Sequence, residues 1–358
     1  MANDKIKPYR VLSIDGGGMR GLYTTALLNT LSSRFGHNLD VGKGFDLIVG
    51  TSTGGLVAAG LASGIPLSKI IDIYKEKGAE IFHTTMPNKG FKKIIWALRH
   101  LFNSANQNET LKDILNTVFK NESLGELYFR RKIGICITAV NIANHKLRVF
   151  KTPHNHLKQA DNTRTIGEIC LASSAAPIFL PIAEISNDIP GAKSYFVDGG
   201  LCANNPVLIG LIEALQLSDI TQPIEIVSIG TCPPAYGEAI DSNNVNKGLL
   251  FWNFGAKAVE LAMNSQATAY ESVAEHLAQN FIQYGKQISF LRLVQTTPSP
   301  TQSEYLSLDN KSSKSRSTLI QLANNDALQI YGQAIAGKDN YGMLVPIFQS
   351  MPTLVEEE

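Results

Sequence analysis

The stretch from Leu47 to Ser68, LIVGTSTGGLVAAGLASGIPLS, carries no charged residue. An uncharged run this long either crosses a membrane or lies buried inside a folded domain. A span needs about 20 predominantly apolar residues. This run is broken by glycine, serine and threonine and reaches Pro66 near its end. It therefore reads as a buried strand, FDLIVG over 45–50, then a sharp turn, then a buried helix of small residues, GGLVAAGLASG. Small residues let a helix approach a sheet closely, and such a unit needs covering layers on both faces.

The surrounding sequence supplies them. YRVLSI over 9–14 is a strand, and Leu22, Ala26, Leu27, Leu31 and Phe35 then recur at helical spacing. KIGICITAV (132–140) and KLRVFKT (146–152) read as strands around a turn at Asn144. TIGEICLASSAAPIFLP (165–181) reads as a helix broken at Pro177. YFVDGG (195–200) is a strand ending in a glycine turn, followed by a helix capped by Asn205 with Pro206 at its first position. IEIVSIGT (224–231) is one more buried strand. The alternation predicts an α/β sheet covered on both faces over 9–231. Residues 232–358 form a C-terminal extension packed on that core, largely helical over 249–284 and up to about 336, with a polar, mobile loop near 296–317.

Bulk properties exclude several classes. The net charge of +1 on 358 residues argues against binding a nucleic-acid polymer. Cys136, Cys170, Cys202 and Cys232 are far apart with no C-x-x-C spacing, so neither a zinc site nor a disulfide scaffold is expected. The N-terminal MANDKIKPYR lacks the apolar core of a signal peptide. A cytoplasmic protein is the expectation, with no metal and no cofactor.

Two features carry chemistry. Gly50 to Gly54, GTSTG, places Ser52 between glycines where a buried strand meets a helix, a context suited to an exposed nucleophile on a strained turn. An ordinary strand–helix turn is the structural alternative. Asp198 ends a strand before Gly199 and Gly200 and is expected at the same sheet edge as Ser52, as a general base. The alternative for Asp198 is a turn residue capping its own backbone. None of the seven histidines is well placed for a triad; only His276 follows Asp198 in the chain.

IDGGGMRG (14–21) is open to two readings. Gly16, Gly18 and Gly21 fit the G-x-G-x-x-G dinucleotide fingerprint, with Asp40 at about the spacing of its ribose-binding acid. That reading makes the chain an oxidoreductase. Yet no convincing strand precedes Asp40, and Asp15 sets a negative charge beside the supposed pyrophosphate. The alternative is an oxyanion hole built from the amides of Gly16, Gly17 and Gly18, with Arg20 anchoring the loop or facing an anionic head group.

G-G-G-x-R-G after a strand, G-T-S-T-G and D-G-G, in that order, resemble the patatin-like phospholipase family, as does SSAAPIFLP (173–181) before the aspartate. The resemblance covers roughly residues 9–231. It implies a three-layer α/β/α lipid acyl hydrolase with a Ser–Asp dyad, Ser52 as nucleophile, Asp198 as base and Gly16 to Gly18 as oxyanion loop. Arg20, Gly21, Gly50, Gly54, Gly199 and Gly200 match supporting motif positions, and no calcium site is implied. The chain looks most like bacterial members, some of which are effectors switched on by cyclic nucleotides in antiphage signalling. A phospholipid substrate, a cyclic dinucleotide activator and a homo-oligomer follow as expectations. A constitutive lysophospholipase or lipid esterase is the alternative within the same chemistry.

Reaching lipid requires a surface. In KGFKKIIWALRHLF (89–102), Phe91, Ile94, Ile95, Leu98, Leu101 and Phe102 form one stripe at helical spacing. Lys92, Lys93, Trp96 and Arg99 lie off that stripe, as in a basic amphipathic helix that contacts an anionic membrane peripherally or serves as a lid. A core-packed surface helix gives the same pattern.

Overall fold

A mixed sheet runs through the computed structural model, which describes residues 6–81, 84, 96, 104–155, 161–186, 192–234, 245–249, 251–252 and 255–355. Its strands are β1 (Tyr9–Ile14), β2 (Leu47–Thr51), β3 (Gly134–Asn141), β4 (Lys146–Lys151), β5 (Ala183–Ser186), β6 (Lys193–Asp198), β7 (Ile224–Ile229) and β8 (Ile288–Arg292). They lie in the order β5-β6-β3-β2-β1-β7-β8, with β4 also paired to β3. From β3 to β8 the neighbours are parallel, whereas β4 and β6 meet β3 antiparallel and β5 meets β6 antiparallel.

The described helices are α1 (Gly21–Phe35), α2 (Thr53–Ser63), α3 (Leu67–Ile81), α4 (Glu109–Phe119), α5 (Leu124–Arg131), α6 (Ile166–Ser173), α7 (Gly200–Ala203), α8 (Val207–Leu217), α9 (Ala256–Gln283), α10 (Pro300–Ser303), α11 (Ser313–Ile335) and α12 (Leu344–Gln349). Successive strand residues point to opposite faces. Leu12, Ile14 and Ile48 join a core with α1, α2 and α11, while Val11, Leu47 and Val49 join a second core with α8 and α9. The fold is the expected three-layer α/β/α arrangement.

Several local expectations need correction. The helix expected to break at Pro177 ends at Ser173, because the Ser174 hydroxyl folds back on the Cys170 carbonyl (2.7 Å) and the Ser173 carbonyl accepts from Gly199 N–H (3.1 Å). Pro206 caps α8 rather than opening it, with Asn205 Oδ1 accepting from Val207 N–H (3.0 Å). The segment 296–317, expected as a mobile loop, contains α10 and the start of α11, and Leu306 and Asp309 are buried. The extension also supplies a strand: β8 pairs parallel with β7 and continues the sheet. Of the amphipathic stretch 89–102, Lys92, Lys93 and Arg99 lie outside the described residues. Trp96 is buried, which removes it from a solvent-facing membrane contact.

Candidate active site

β2 ends at Thr51 and α2 begins at Thr53, so the chain reversal falls on Ser52. Its backbone takes φ 53° and ψ −125°, a conformation that residues with a side chain adopt only under strain. The flanking glycines follow from the crossing. A Cβ on Gly50 would lie 2.3 Å from the Gly54 carbonyl oxygen, and one on Gly54 would lie 2.3 Å from that of Ile14.

Sheet register brings the partner carboxylate alongside. Thr51 pairs with Thr138 on β3, and the next β3 residue, Ala139, pairs with Asp198 on β6. Asp198 therefore arrives from an antiparallel strand entering the C-terminal half of β3. The Ser52 hydroxyl donates to Asp198 Oδ2 at 2.6 Å, and Gly200 N–H donates to Asp198 Oδ1 at 2.7 Å. Both side chains are buried. Burial pushes the Asp198 carboxyl up from 3.8 to about 6, against the lowering pull of the Ser52 hydroxyl and the Gly200 amide. A carboxylate of that basicity, already holding the serine proton in a hydrogen bond, can accept it near neutral pH.

The glycine loop after β1 is clamped from several elements. Asp15 pairs with Arg292 of β8 at 2.6 Å. Thr231 Oγ1 donates to the Gly16 carbonyl (3.2 Å), and Thr53 Oγ1 donates to the Gly18 carbonyl (2.7 Å). Met19 N–H donates to the Leu308 carbonyl at 2.8 Å. Gly16 N–H donates to the Asn204 carbonyl at 2.9 Å, which takes it out of the oxyanion set expected from the sequence. Gly17 and Gly18 N–H have no acceptor among the described residues, and both residues line one cavity with Ser52 and Asp198. Arg20 is buried and its charge acts on Asp15, which fits an anchoring role rather than contact with a head group. Gly21 opens α1 where a Cβ would lie 2.3 Å from the Tyr74 hydroxyl oxygen.

That cavity has a volume of about 430 Å³. Ser52, Asp198, Gly17 and Gly18 line it together with an apolar wall from α3 and α4, including Ile70, Ile73, Leu111, Ile114 and Phe119. It can hold a flexible apolar chain whose polar end meets the serine.

The dinucleotide reading fails on position. Asp40 caps the turn Val41–Gly44 and pairs with Arg131 at 2.7 Å, and the second strand ends at Thr51 without an acid. None of the described histidines lines the cavity; His276 is exposed on α9, with Nδ1 2.7 Å from the Ser272 carbonyl oxygen. Elsewhere, Cys136, His154 and Glu213 bring one potential metal-ligand atom each within 4.8 Å of one another. Glu213 already accepts from the Lys151 ammonium and from Asn155 (3.1 Å), and Thr152 Oγ1 lies 2.6 Å from His154 Nδ1. Burial raises the Glu213 carboxyl, but hydrogen bonds from His154, Lys151 and Asn155 outweigh it and bring it down to about 2. The cluster is a buried ion-pair network joining β3, β4 and α8.

Sequence reasoning missed four contributors: Ser173, whose hydroxyl accepts the Ser52 N–H (2.7 Å), Asn204, Arg292 and Leu308. Ser173 lies in the SSAAPIFLP stretch already noted. Arg292 and Leu308 carry no local signal, because they reach the loop from the extension.

A three-layer fold with a buried serine–carboxylate pair beneath an apolar cavity defines an ester hydrolase of the α/β/α class. The family model described as patatin-like phospholipase matches residues 12–211, and the chain belongs to that family. It is 31% identical over 328 residues to the cGAMP-activated phospholipase of Vibrio cholerae, covering 87% of this chain and 88% of that one. It is 29% identical over 336 residues to the cGAMP-activated phospholipase of Pseudomonas aeruginosa, covering 92% and 91%. The cUMP-AMP-activated phospholipase of Escherichia coli is 29% identical over 238 residues, covering 64% and 65%. Among the described residues no helix is long and apolar enough to cross a membrane.

Proposed function

We propose that this enzyme hydrolyses fatty-acyl ester bonds of membrane phospholipids through Ser52 and Asp198, and that a cyclic dinucleotide switches it on as an effector of antiphage signalling. The observation that carries the chemistry is the 2.6 Å hydrogen bond from Ser52 Oγ to Asp198 Oδ2. Asp198 takes the serine proton as Oγ attacks the acyl carbon. The free Gly17 and Gly18 amides hold the oxyanion; one such donor typically contributes about 3 kcal/mol to transition-state stabilisation. Collapse expels the alcohol, which receives the proton from Asp198. Water, deprotonated by Asp198 in turn, then releases the fatty acid from the acyl-enzyme. Each methylene seated in the cavity adds about 0.8 kcal/mol of apolar burial, which favours long acyl chains. Nucleotide control is supported by the names of relatives that align over most of their length. The enzyme works from the cytoplasm at the inner membrane surface.

The test is fatty-acid release from mixed phospholipid vesicles, with and without a panel of cyclic dinucleotides, for the native enzyme and Ser52→Ala. One nucleotide should raise release by the native enzyme, and Ser52→Ala should release none under any condition. Full release without nucleotide would replace the gated reading with a constitutive lipid esterase. Release by Ser52→Ala would remove the dyad.

A further inference from the structure

The oxyanion loop is held in part by a segment nearly three hundred residues downstream of it, beyond the family-matched stretch 12–211. The Leu308 carbonyl accepts Met19 N–H at 2.8 Å. The same oxygen lies 2.4 Å from where a Cβ on Gly18 would stand, and Gly18 has φ +56°, so only glycine both turns there and lets the carbonyl seat. The segment between α10 and α11 is itself anchored. Leu306 is fully buried, and the Ser315 hydroxyl donates to the Tyr305 carbonyl at 2.6 Å. Ser307, Leu308 and Asp309 wall the cavity that contains Ser52.

We propose that residues 304–312 form a strap that positions the oxyanion loop, and that the C-terminal extension governs turnover through it. The proposal rests on the assignment of Ser52, Asp198 and the loop given above. Met19 N–H is occupied by the strap, while Gly17 and Gly18 N–H stay unpaired at the cavity. The strap's carbonyl fixes the left-handed turn at Gly18, and that turn sets where the two unpaired amides point. Loosening the strap frees the loop to rotate its donors away. Because oxyanion donors act on the transition state, kcat falls while KM holds. The Leu308 carbonyl is thus a positioning group that acts through Met19 and Gly18.

The test compares native enzyme with Leu306→Ala, Ser315→Ala and the double variant. Three quantities are measured: kcat and KM on a soluble short-chain aryl ester, inhibition by an alkyl trifluoromethyl ketone, and amide hydrogen exchange at Met19. The ketone forms a hemiketal oxyanion with Ser52 and so reports on the loop. The expected result is faster Met19 exchange, a loss in kcat of about tenfold or more, KM within about twofold, and ketone affinity falling in step with kcat. A merely structural role would lower the melting temperature and leave the ratio of ketone affinity to KM unchanged. If Leu306→Ala does not fold, Ser315→Ala carries the test, since it removes one hydrogen bond. Faster exchange with unaltered kcat and ketone affinity overturns the proposal, as does unaltered exchange in the double variant. Ser52→Ala in the same ester assay separates the two readings: its turnover would sink the dyad, whereas an inactive Ser52→Ala beside an unaffected strap variant would sink the strap alone.

Discussion

Asp198 is placed where a carboxylate costs stability and gains reactivity. Its carboxyl rises from 3.8 to about 6 chiefly through burial. The folded state therefore binds a proton more tightly than the unfolded chain, and the stability this confers is lost as pH climbs through that interval. Above about pH 6 the ionised Asp198 costs on the order of 3 kcal/mol relative to an exposed one. Two outcomes follow for kinetics and thermal melts. The acid limb of kcat/KM on a soluble ester should fall off near pH 6 in native enzyme. Asp198→Asn, which does not titrate, should be inactive yet melt a few degrees higher than native at pH 8, with the difference shrinking toward pH 4. An Asp198→Asn that melts lower at pH 8 would contradict the burial argument. Ser52 and Asp198 were legible in the sequence because glycine spacing and strand ends are local patterns. The commitment of the Gly16 amide was not, since its acceptor is the Asn204 carbonyl.

At the scale of elements, α1 and α11 pack face to face in the same core, and Asp326 is a buried polar link between them, beside the Thr30–Asn324 hydrogen bond (2.6 Å). It is fully buried and accepts from Tyr23 Oη at 2.5 Å, from Thr296 N–H at 3.1 Å and from the Thr296 hydroxyl. Asp326→Ala leaves the buried Tyr23 hydroxyl without its acceptor, which costs about 1–3 kcal/mol. Chemical denaturation should show a loss of about 1–3 kcal/mol, with Asp326→Asn recovering part of it. A loss under about 0.5 kcal/mol would mean that water replaces the carboxylate. Periodicity found α1, and small-residue composition and capping residues pointed to α2 and α8, but α3, α4 and α5 were not anticipated. Nor did periodicity find β5, a four-residue edge strand, or β8, whose partner β7 lies sixty residues earlier. The polar composition of 296–317 suggested a loop, while its ordering comes from anchors such as Leu306 that only the folded chain reveals.

Across the whole molecule, the sheet and the extension meet at the glycine loop. The sheet supplies Ser52 and Asp198, and the extension supplies Arg292 to Asp15 and Leu308 to Met19 on the two flanks of the glycine loop. The motifs picked out Ser52 and Asp198, which the fold brings together, but not this closure from the far end of the chain, since long-range pairing leaves no periodic trace in a single sequence. The claim beneath all of this is that Ser52 Oγ becomes acylated. Treatment with a fluorophosphonate, followed by peptide mass mapping, tests it directly. The account predicts one adduct per chain, on Ser52, accumulating in proportion to lost ester turnover and absent from Ser52→Ala. Turnover that survives complete labelling of Ser52, or inactivation with the adduct on another residue, would contradict it.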